Sequence, residues 1–264
     1  MKKFLVIGNP IEHSLSPKLH NLWIKKSKID AIYDKEKLTE NELKKLISKL
    51  REKNLHGINV TIPFKNTIIP YLDQLTKEAN KTQSVNTVYL KNGKVIGHNT
   101  DINGFEMSIK KLKLNLENKK VLILGAGGVV PSIIFALNRM EIAEIMVANR
   151  TKDKALRLIK LFKNIKVVNW GDVPLVDVII NATSIGLNKD DEFKLDLSKA
   201  GSNKFFYDVI YSPQETTFLK IGKKMGNRTE NGKFMFLYQA LEAFEIWHGI
   251  KPEIDDEVIK LFEN

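Results

Sequence analysis

The sequence predicts a two-domain α/β protein, and three observations carry that reading. Strand-like and helix-like stretches alternate along all 264 residues. In the second half the strand-like runs are short and continuously apolar, the pattern of a parallel sheet covered on both faces. One of those runs passes straight into Gly125-Ala126-Gly127-Gly128, a glycine-rich turn that opens a helix. The length suits two domains or one large one, and a 43% hydrophobic content is enough for a well-formed core.

Taken in order, Phe4–Asn9 reads as a strand that stops in Gly8-Asn9-Pro10 turn chemistry. Pro17–Ser27 carries a helical stripe at Leu19, Leu22, Trp23 and Ile24. Ala31–Tyr33 is a short strand. Thr39 and Glu42 form a capping box for a helix running to about Lys53. Ile58–Ile62 is a buried strand stopped by Pro63, and Val85–Leu90 and Lys94–Gly97 flank an Asn92-Gly93 hairpin turn. The second half reads as strand Lys120–Leu124, a helix through Ile133, Ile134 and Leu137, strand Glu144–Ala148 and helix Lys152–Phe162. Strands Ile165–Val168, Val176–Asn181 and Lys204–Ile210 follow. The last helices, about Phe234–His248 and Asp255–Phe262, are expected to return to the first domain. The expected division is 1–100 plus 235–264 against 101–234.

Composition excludes several functions. There is no cysteine, hence no disulfide and no catalytic thiol. No apolar stretch reaches the roughly 18 residues of a membrane helix, and the N-terminal apolar run is too short for a signal peptide. A cytoplasmic protein with no membrane partner is expected. The net charge of +11 raises the question of nucleic acid. The lysines, however, are scattered along helix faces, as in the segment from Asn41 to Leu50, and no nucleic-acid motif accompanies them. The expected partner is a small molecule and not nucleic acid, with a monomer or homodimer left open.

A glycine turn between a buried strand and a helix lets backbone N–H groups approach a pyrophosphate at the helix N-terminus. Gly125 and Gly127 fit the G-x-G-x-x-G spacing; Val130 takes the third position and Gly128 is extra. Pro131 is tolerable because it lies in the first helical turn. The next strand ends at Asn149-Arg150-Thr151, where an NAD site would present an acid to the ribose. Arg150, Thr151 and, one turn on, Lys154 instead suit a 2′-phosphate and so favour NADP. The competing reading is a plain helix start, capped by Thr151.

Polar clusters at the ends of apolar strands mark the first half. Ser14-Leu15-Ser16-Pro17 offers two hydroxyls to a carboxylate, although Ser16 would also serve as an ordinary N-cap. In Asn59-Val60-Thr61-Ile62-Pro63-Phe64-Lys65, Asn59 and Thr61 share one strand face and Lys65 follows the strand end. Asn86-Thr87 and Asn99-Thr100-Asp101 repeat the theme, though the latter could cap a helix. Three such clusters in one cleft are costly unless a polar ligand satisfies them.

These motifs, with Asn181-Ala182-Thr183-Ser184-Ile185-Gly186, Asp208-Val209-Ile210-Tyr211-Ser212-Pro213 and Gln239-Ala240, resemble the shikimate dehydrogenase family almost end to end. The resemblance implies an N-terminal α/β substrate domain and a Rossmann-type NADP domain. It implies NADP-dependent reversible reduction of 3-dehydroshikimate to shikimate, in aromatic amino-acid and chorismate biosynthesis. Lys65 and Asp101 would be the catalytic pair. Ser14, Ser16, Thr61 and Tyr211 would hold the substrate carboxylate; Asn59, Asn86, Asp101 and Gln239 would bind the ring hydroxyls and ketone. Gly125, Ala126, Gly127 and Gly128 would take the pyrophosphate, and Asn149, Arg150, Thr151 and Lys154 the 2′-phosphoadenosine. Thr183, Ser184, Val209, Gly232 and Met235 would line the rest of the cofactor pocket. Hydride delivery to a ketone builds negative charge on oxygen, which a cationic donor such as Lys65 can stabilise and protonate. The nicotinamide does the redox chemistry, so no metal is required.

The chain departs from the family at Gln83-Ser84, where glycine and alanine are usual, at Ile102 in place of glycine, and at the bulkier Phe234 and Tyr238. Alternative readings are a quinate/shikimate dehydrogenase with relaxed cofactor choice, and a non-catalytic NADP-sensing or nucleic-acid-binding protein.

Overall fold

The computed structural model describes residues 1–188 and 191–262. Chain contacts divide it into two compact units, Met1–Gly104 with Leu237–Asn264, and Phe105–Phe236. Lys189, Asp190, Glu263 and Asn264, which fall inside the expected domain spans, lie outside the described residues.

The first unit is built on a six-stranded mixed sheet. In chain order it contains β1 (Lys2–Gly8), α1 (Ser16–Lys26), β2 (Ala31–Lys37), α2 (Leu43–Arg51) and β3 (Gly57–Val60). Then come β4 (Gln74–Leu75), α3 (Lys77–Thr82), β5 (Thr87–Lys91) and β6 (Lys94–His98). The strand order is β2-β1-β3-β5-β6-β4. β2, β1 and β3 run parallel; β5 reverses against both β3 and β6. Val6 and Ile7 stand opposite Asn59 and Val60, so β1 and β3 deliver their following loops at one edge. The hairpin between β5 and β6 turns at Asn92 and Gly93, both at positive φ, as the dipeptide predicts. Helix α2 places Leu43, Leu46, Ile47 and Leu50 at helical spacing, each no more than 2% exposed. Burial of each is worth about 1.5–3 kcal/mol.

The second unit is a fully parallel six-stranded sheet. Helix α4 (Asp101–Lys111), within which the division falls, precedes β7 (Lys120–Leu124), α5 (Val130–Arg139), β8 (Glu144–Ala148), α6 (Lys152–Leu161) and β9 (Ile165–Val168). β10 (Val178–Asn181), β11 (Phe205–Asp208), α7 (Thr217–Lys224) and β12 (Arg228–Glu230) complete it. The second division falls within α8 (Lys233–His248), and α9 (Asp256–Lys260) ends the first unit. The order β12-β11-β10-β7-β8-β9 reverses direction between β7 and β10. Such a switch point, at the carboxyl ends of the strands, is where open parallel sheets bind ligands. Leu124, Asn181 and Asp208 stand in register at that edge.

Several boundaries differ from the sequence expectation. The strand expected over Ile58–Ile62 stops at Val60, because the Phe64 N–H closes a turn on the Thr61 carbonyl at 2.9 Å. The Thr39–Glu42 box is present, but it opens a 3-10 turn over Glu40–Glu42, and the helix after it ends at Arg51. The strand beginning at Ala31 continues to Lys37, held along its length by β1. The strands expected over Val176–Asn181 and Lys204–Ile210 are trimmed to β10 and β11. Among the described residues no helix is long and apolar enough to cross a membrane.

Candidate active site

The centre of the first unit's polar edge is an ion pair. Lys65 Nζ lies 2.5 Å from Asp101 Oδ2, with the side chains 11% and 8% exposed. Lys65 follows the Thr61–Phe64 turn, and its carbonyl accepts the Val85 N–H at 2.8 Å. Asp101 opens α4, and its own N–H bonds the Asn99 side-chain oxygen at 3.1 Å. The competing reading, in which this triplet only caps a helix, accounts for Asn99 but leaves the Asp101 carboxylate to Lys65. Removing either charge from a buried pair strands the other, so this geometry is strongly specified.

Asn86 holds the carboxylate from the other side. Its Nδ2 donates to Asp101 Oδ1 and to Thr100 Oγ1, both at 2.9 Å, and reaches Gln239 Oε1 at 3.4 Å. Its Oδ1 accepts the Thr100 N–H at 2.8 Å. Asn59 sits next to it: Nδ2 donates to the Asn86 carbonyl at 3.0 Å and to Thr87 Oγ1 at 3.1 Å. His98, unread in the sequence, bridges Thr76 Oγ1 (2.8 Å) and Glu242 Oε1 (3.0 Å), fastening Gln239's helix beside β6. Lys65, Asp101, Asn59, Asn86, Thr61, Ser14, Ser16 and Gln239 therefore all belong to one unit; Tyr211 belongs to the other.

The serine loop corrects one expectation. Ser16 is not an N-cap but the first residue of α1, whose capping position, Leu15, makes no side-chain bond. Ser14 Oγ instead accepts the Ser16 N–H at 3.3 Å. The hydroxyl of Ser16, 7% exposed, is thereby spared from capping. Pro17 sits in the first turn, as predicted.

The second unit's edge is built mostly from backbone. Gly125 has φ 115°, and a Cβ there would meet the Ala182 carbonyl oxygen at 2.7 Å, so the loop after β7 passes against the loop after β10 only with glycine. Gly232 is similarly close: a Cβ would stand 2.1 Å from the Val209 oxygen, which fixes those two positions together. Gly127 is open to solvent at the head of α5, as a backbone cradle for a pyrophosphate requires. After β8, Asn149 Nδ2 bonds the Thr151 carbonyl at 2.7 Å. Thr151 precedes α6 but its side chain makes no capping bond, contrary to the plain-cap reading. Arg150, Thr151 and Lys154 are exposed, and among the described residues neither cation has a carboxylate partner. These residues fit a dinucleotide bearing a 2′-phosphate.

A buried cluster of Asp208, Asn181 and Thr216 supports this edge. Asp208, fully buried, accepts Thr216 Oγ1 at 2.6 Å, the Ile210 N–H at 3.0 Å and both contacts from Asn181 Nδ2 at 3.1 Å. Burial pushes its carboxyl up to about 6, against the pull of those hydrogen bonds. Asn181 Oδ1 in turn accepts Thr183 Oγ1 at 2.7 Å, and Thr183 Oγ1 accepts the Ile185 N–H at 3.1 Å. One carboxylate thus ties the Thr183-Ser184 loop, the Val209–Tyr211 loop and the start of α7. An acid ending a buried strand was the available signal. Tyr211 packs its ring on Phe236 at 4.5 Å between centroids, and Met235 is buried.

Among the departures, Gln83 has a direct account. It ends α3 in the left-handed region, φ 47°, ψ 39°, which explains why glycine suits the position. Phe234 lies under two ammonium groups, Lys233 at 5.3 Å and Lys111 at 5.9 Å.

Residues 6–88 match the model of the shikimate dehydrogenase substrate binding domain. Residues 106–208 match shikimate / quinate 5-dehydrogenase, and residues 235–256 the shikimate 5'-dehydrogenase C-terminal domain. A shikimate dehydrogenase (NADP(+)) of Pelagibacter ubique is 56% identical over 262 residues, covering 99% of each chain. A crystal structure of shikimate dehydrogenase from Aquifex aeolicus superposes with a TM-score of 0.90 at 37% identity, over 100% of this chain and 96% of that one. The Thermus thermophilus enzyme, solved in complex with NADP(H) and shikimate, gives a TM-score of 0.88 at 30% identity, over 100% and 98%.

Proposed function

The chain belongs to the shikimate dehydrogenase family, and from that premise we propose that it catalyses the NADP-dependent, reversible reduction of 3-dehydroshikimate to shikimate. The observation that carries the proposal is the buried Lys65–Asp101 pair at 2.5 Å. The nicotinamide, when bound, supplies or accepts the hydride. As the ketone carbon gains hydride, its oxygen gains negative charge, and Lys65 Nζ donates the proton that completes the hydroxyl. In the reverse direction the hydroxyl proton returns to Lys65. Asp101 holds the ammonium in reach and accepts from the neighbouring ring hydroxyl. Asn86, bonded to Asp101 at 2.9 Å, keeps that carboxylate from turning away.

Around this pair, Asn59, Asn86 and Gln239 take the ring hydroxyls, and Ser14, Ser16 and Thr61 the carboxylate; Tyr211 keeps the carboxylate role that the resemblance gives it. In this reading the first unit, Met1–Gly104 with Leu237–Asn264, is the substrate domain and the second, Phe105–Phe236, the cofactor domain, in place of the expected 1–100 plus 235–264 and 101–234. Gly125, Ala126, Gly127 and Gly128 hold the pyrophosphate. Asn149, Arg150, Thr151 and Lys154 hold the 2′-phosphoadenosine, and Thr183, Ser184, Val209, Gly232 and Met235 line the remaining pocket. The test is the absorbance of reduced nicotinamide with shikimate or quinate, each paired with NADP or NAD. Turnover confined to shikimate with NADP is expected. Comparable turnover with quinate or NAD favours the relaxed enzyme, and silence in all four contradicts the proposal.

A further inference from the structure

Tyr33 lies outside every motif described above, yet its hydroxyl reaches a residue of the substrate site. The ring is 1% exposed on β2. Its Oη stands 2.7 Å from Asn59 Oδ1. The direction of the bond follows from the partners. The Asn86 carbonyl can only accept, so Asn59 must turn its NH₂ toward it, leaving Oδ1 toward Tyr33. Tyr33 therefore donates to Asn59. Burial pushes the phenol well above the ordinary tyrosine range, so the donor keeps its proton.

Helix α1 grips this tyrosine from two consecutive residues. Asn21 bonds both backbone groups of Tyr33, donating to its carbonyl at 2.7 Å and accepting its N–H at 3.0 Å. That closes the open side of β2, an edge strand. His20 stacks on the ring, with centroids 4.2 Å apart and planes 3° from parallel. Both His20 nitrogens are buried without a hydrogen-bond partner. Burial, aided by nearby His248, lowers its pKa to about 3, so it stacks as a neutral ring. An arrangement that leaves two buried nitrogens unpaired to hold one ring flat is costly unless the ring's tip has a task.

We propose that Tyr33 is a positioning residue of the substrate site, its hydroxyl fixing the Asn59 amide in one orientation. The inference rests on the functional reading above. With Tyr33→Phe the ring and its stacking remain, but Asn59 Oδ1 loses its donor and the amide is free to turn. The assay compares wild type and Tyr33→Phe for the KM of shikimate, the KM of NADP and kcat, with melting temperature measured to establish that both are folded. The shikimate KM should rise about three- to tenfold, the scale of one neutral hydrogen bond. The KM of NADP and kcat should change less than twofold. In an Asn59→Ala background, Tyr33→Phe should add less than a twofold rise. An unchanged shikimate KM, a rise shared equally by NADP, or a full rise persisting in that background would each overturn the proposal. Wild-type protein inert toward shikimate would sink the functional reading and this inference together; active wild type with an unaltered Tyr33→Phe sinks the inference alone.

Discussion

The two polar edges of this molecule are built on opposite principles. In the first unit Lys65, Asp101, Asn86, Asn59 and Thr100 are buried and satisfy one another. In the second, Arg150, Thr151 and Lys154 stand exposed, while nearby backbone forms the cradle. The first arrangement is set before any ligand arrives, as chemistry on a single ketone oxygen demands. The second leaves its charges for the ligand to pair, as recognition of a phosphate demands. Damage to the first should therefore cost folding as well as turnover, and damage to the exposed side chains of the second should cost affinity alone.

The largest effect should come from Asp101→Ala, which leaves the Lys65 ammonium buried and unpaired. Chemical denaturation should show a loss of about 3–5 kcal/mol. A loss below 1 kcal/mol would mean that the first edge is no more preorganised than the second. Next comes Asp208, a buried carboxylate beneath the second edge, whose folded pKa of about 6 exceeds its unfolded value near 3.8. The folded state holds its proton more tightly, so this group's stabilisation is complete below about pH 4. It is lost as pH rises toward 6 and is flat above. The change is on the order of 3 kcal/mol. Subtracting the stability–pH curve of Asp208→Asn from that of wild type should isolate this slope, and parallel curves would refute the assignment. Arg150→Ala should weaken NADP about ten- to hundredfold in a titration while leaving NAD binding and the melting temperature unmoved. An equal loss for NAD would remove Arg150 from the 2′-phosphate. The smallest effect is a gain: Gln83→Gly should stabilise by about 0.5–1 kcal/mol, because glycine adopts the left-handed backbone there without strain. A destabilised variant would mean that the Gln83 side chain, bonded to the Asn80 carbonyl at 2.6 Å, outweighs the strain.

What the sequence revealed followed the same division. Residues whose role is written in local pattern were readable: the glycine turn after an apolar strand, Arg150 where an acid is usual, Asn92-Gly93 between alternating strands. Lys65 and Asp101 were legible as polar ends of apolar strands, though only the fold brings together residues 36 apart in sequence. The strand containing Tyr33 reads as three residues in the sequence, because Asp34, Lys35, Glu36 and Lys37 break apolar alternation; pairing with β1 overrides that propensity. With the strand cut short, nothing indicated that its tyrosine pointed at Asn59. Ser16 looked like a cap because Ser before Pro usually is one. The helix in fact begins one residue earlier, and Ser14 satisfies the backbone. Asp208 gave a local sign, an acid ending a buried strand, but its three-way role depends on Thr216, which only tertiary structure supplies.

The measurement that bears most directly on the account is made on Lys65→Ala, with kcat for shikimate oxidation and the dissociation constant of NADP determined on the same preparation. Turnover should fall about 10²- to 10⁴-fold, the range of a lost general acid–base group, with NADP affinity within twofold of wild type. Equal losses in both would contradict a proton-transfer role for Lys65 and, with it, the separation of chemistry and cofactor recognition between the two edges.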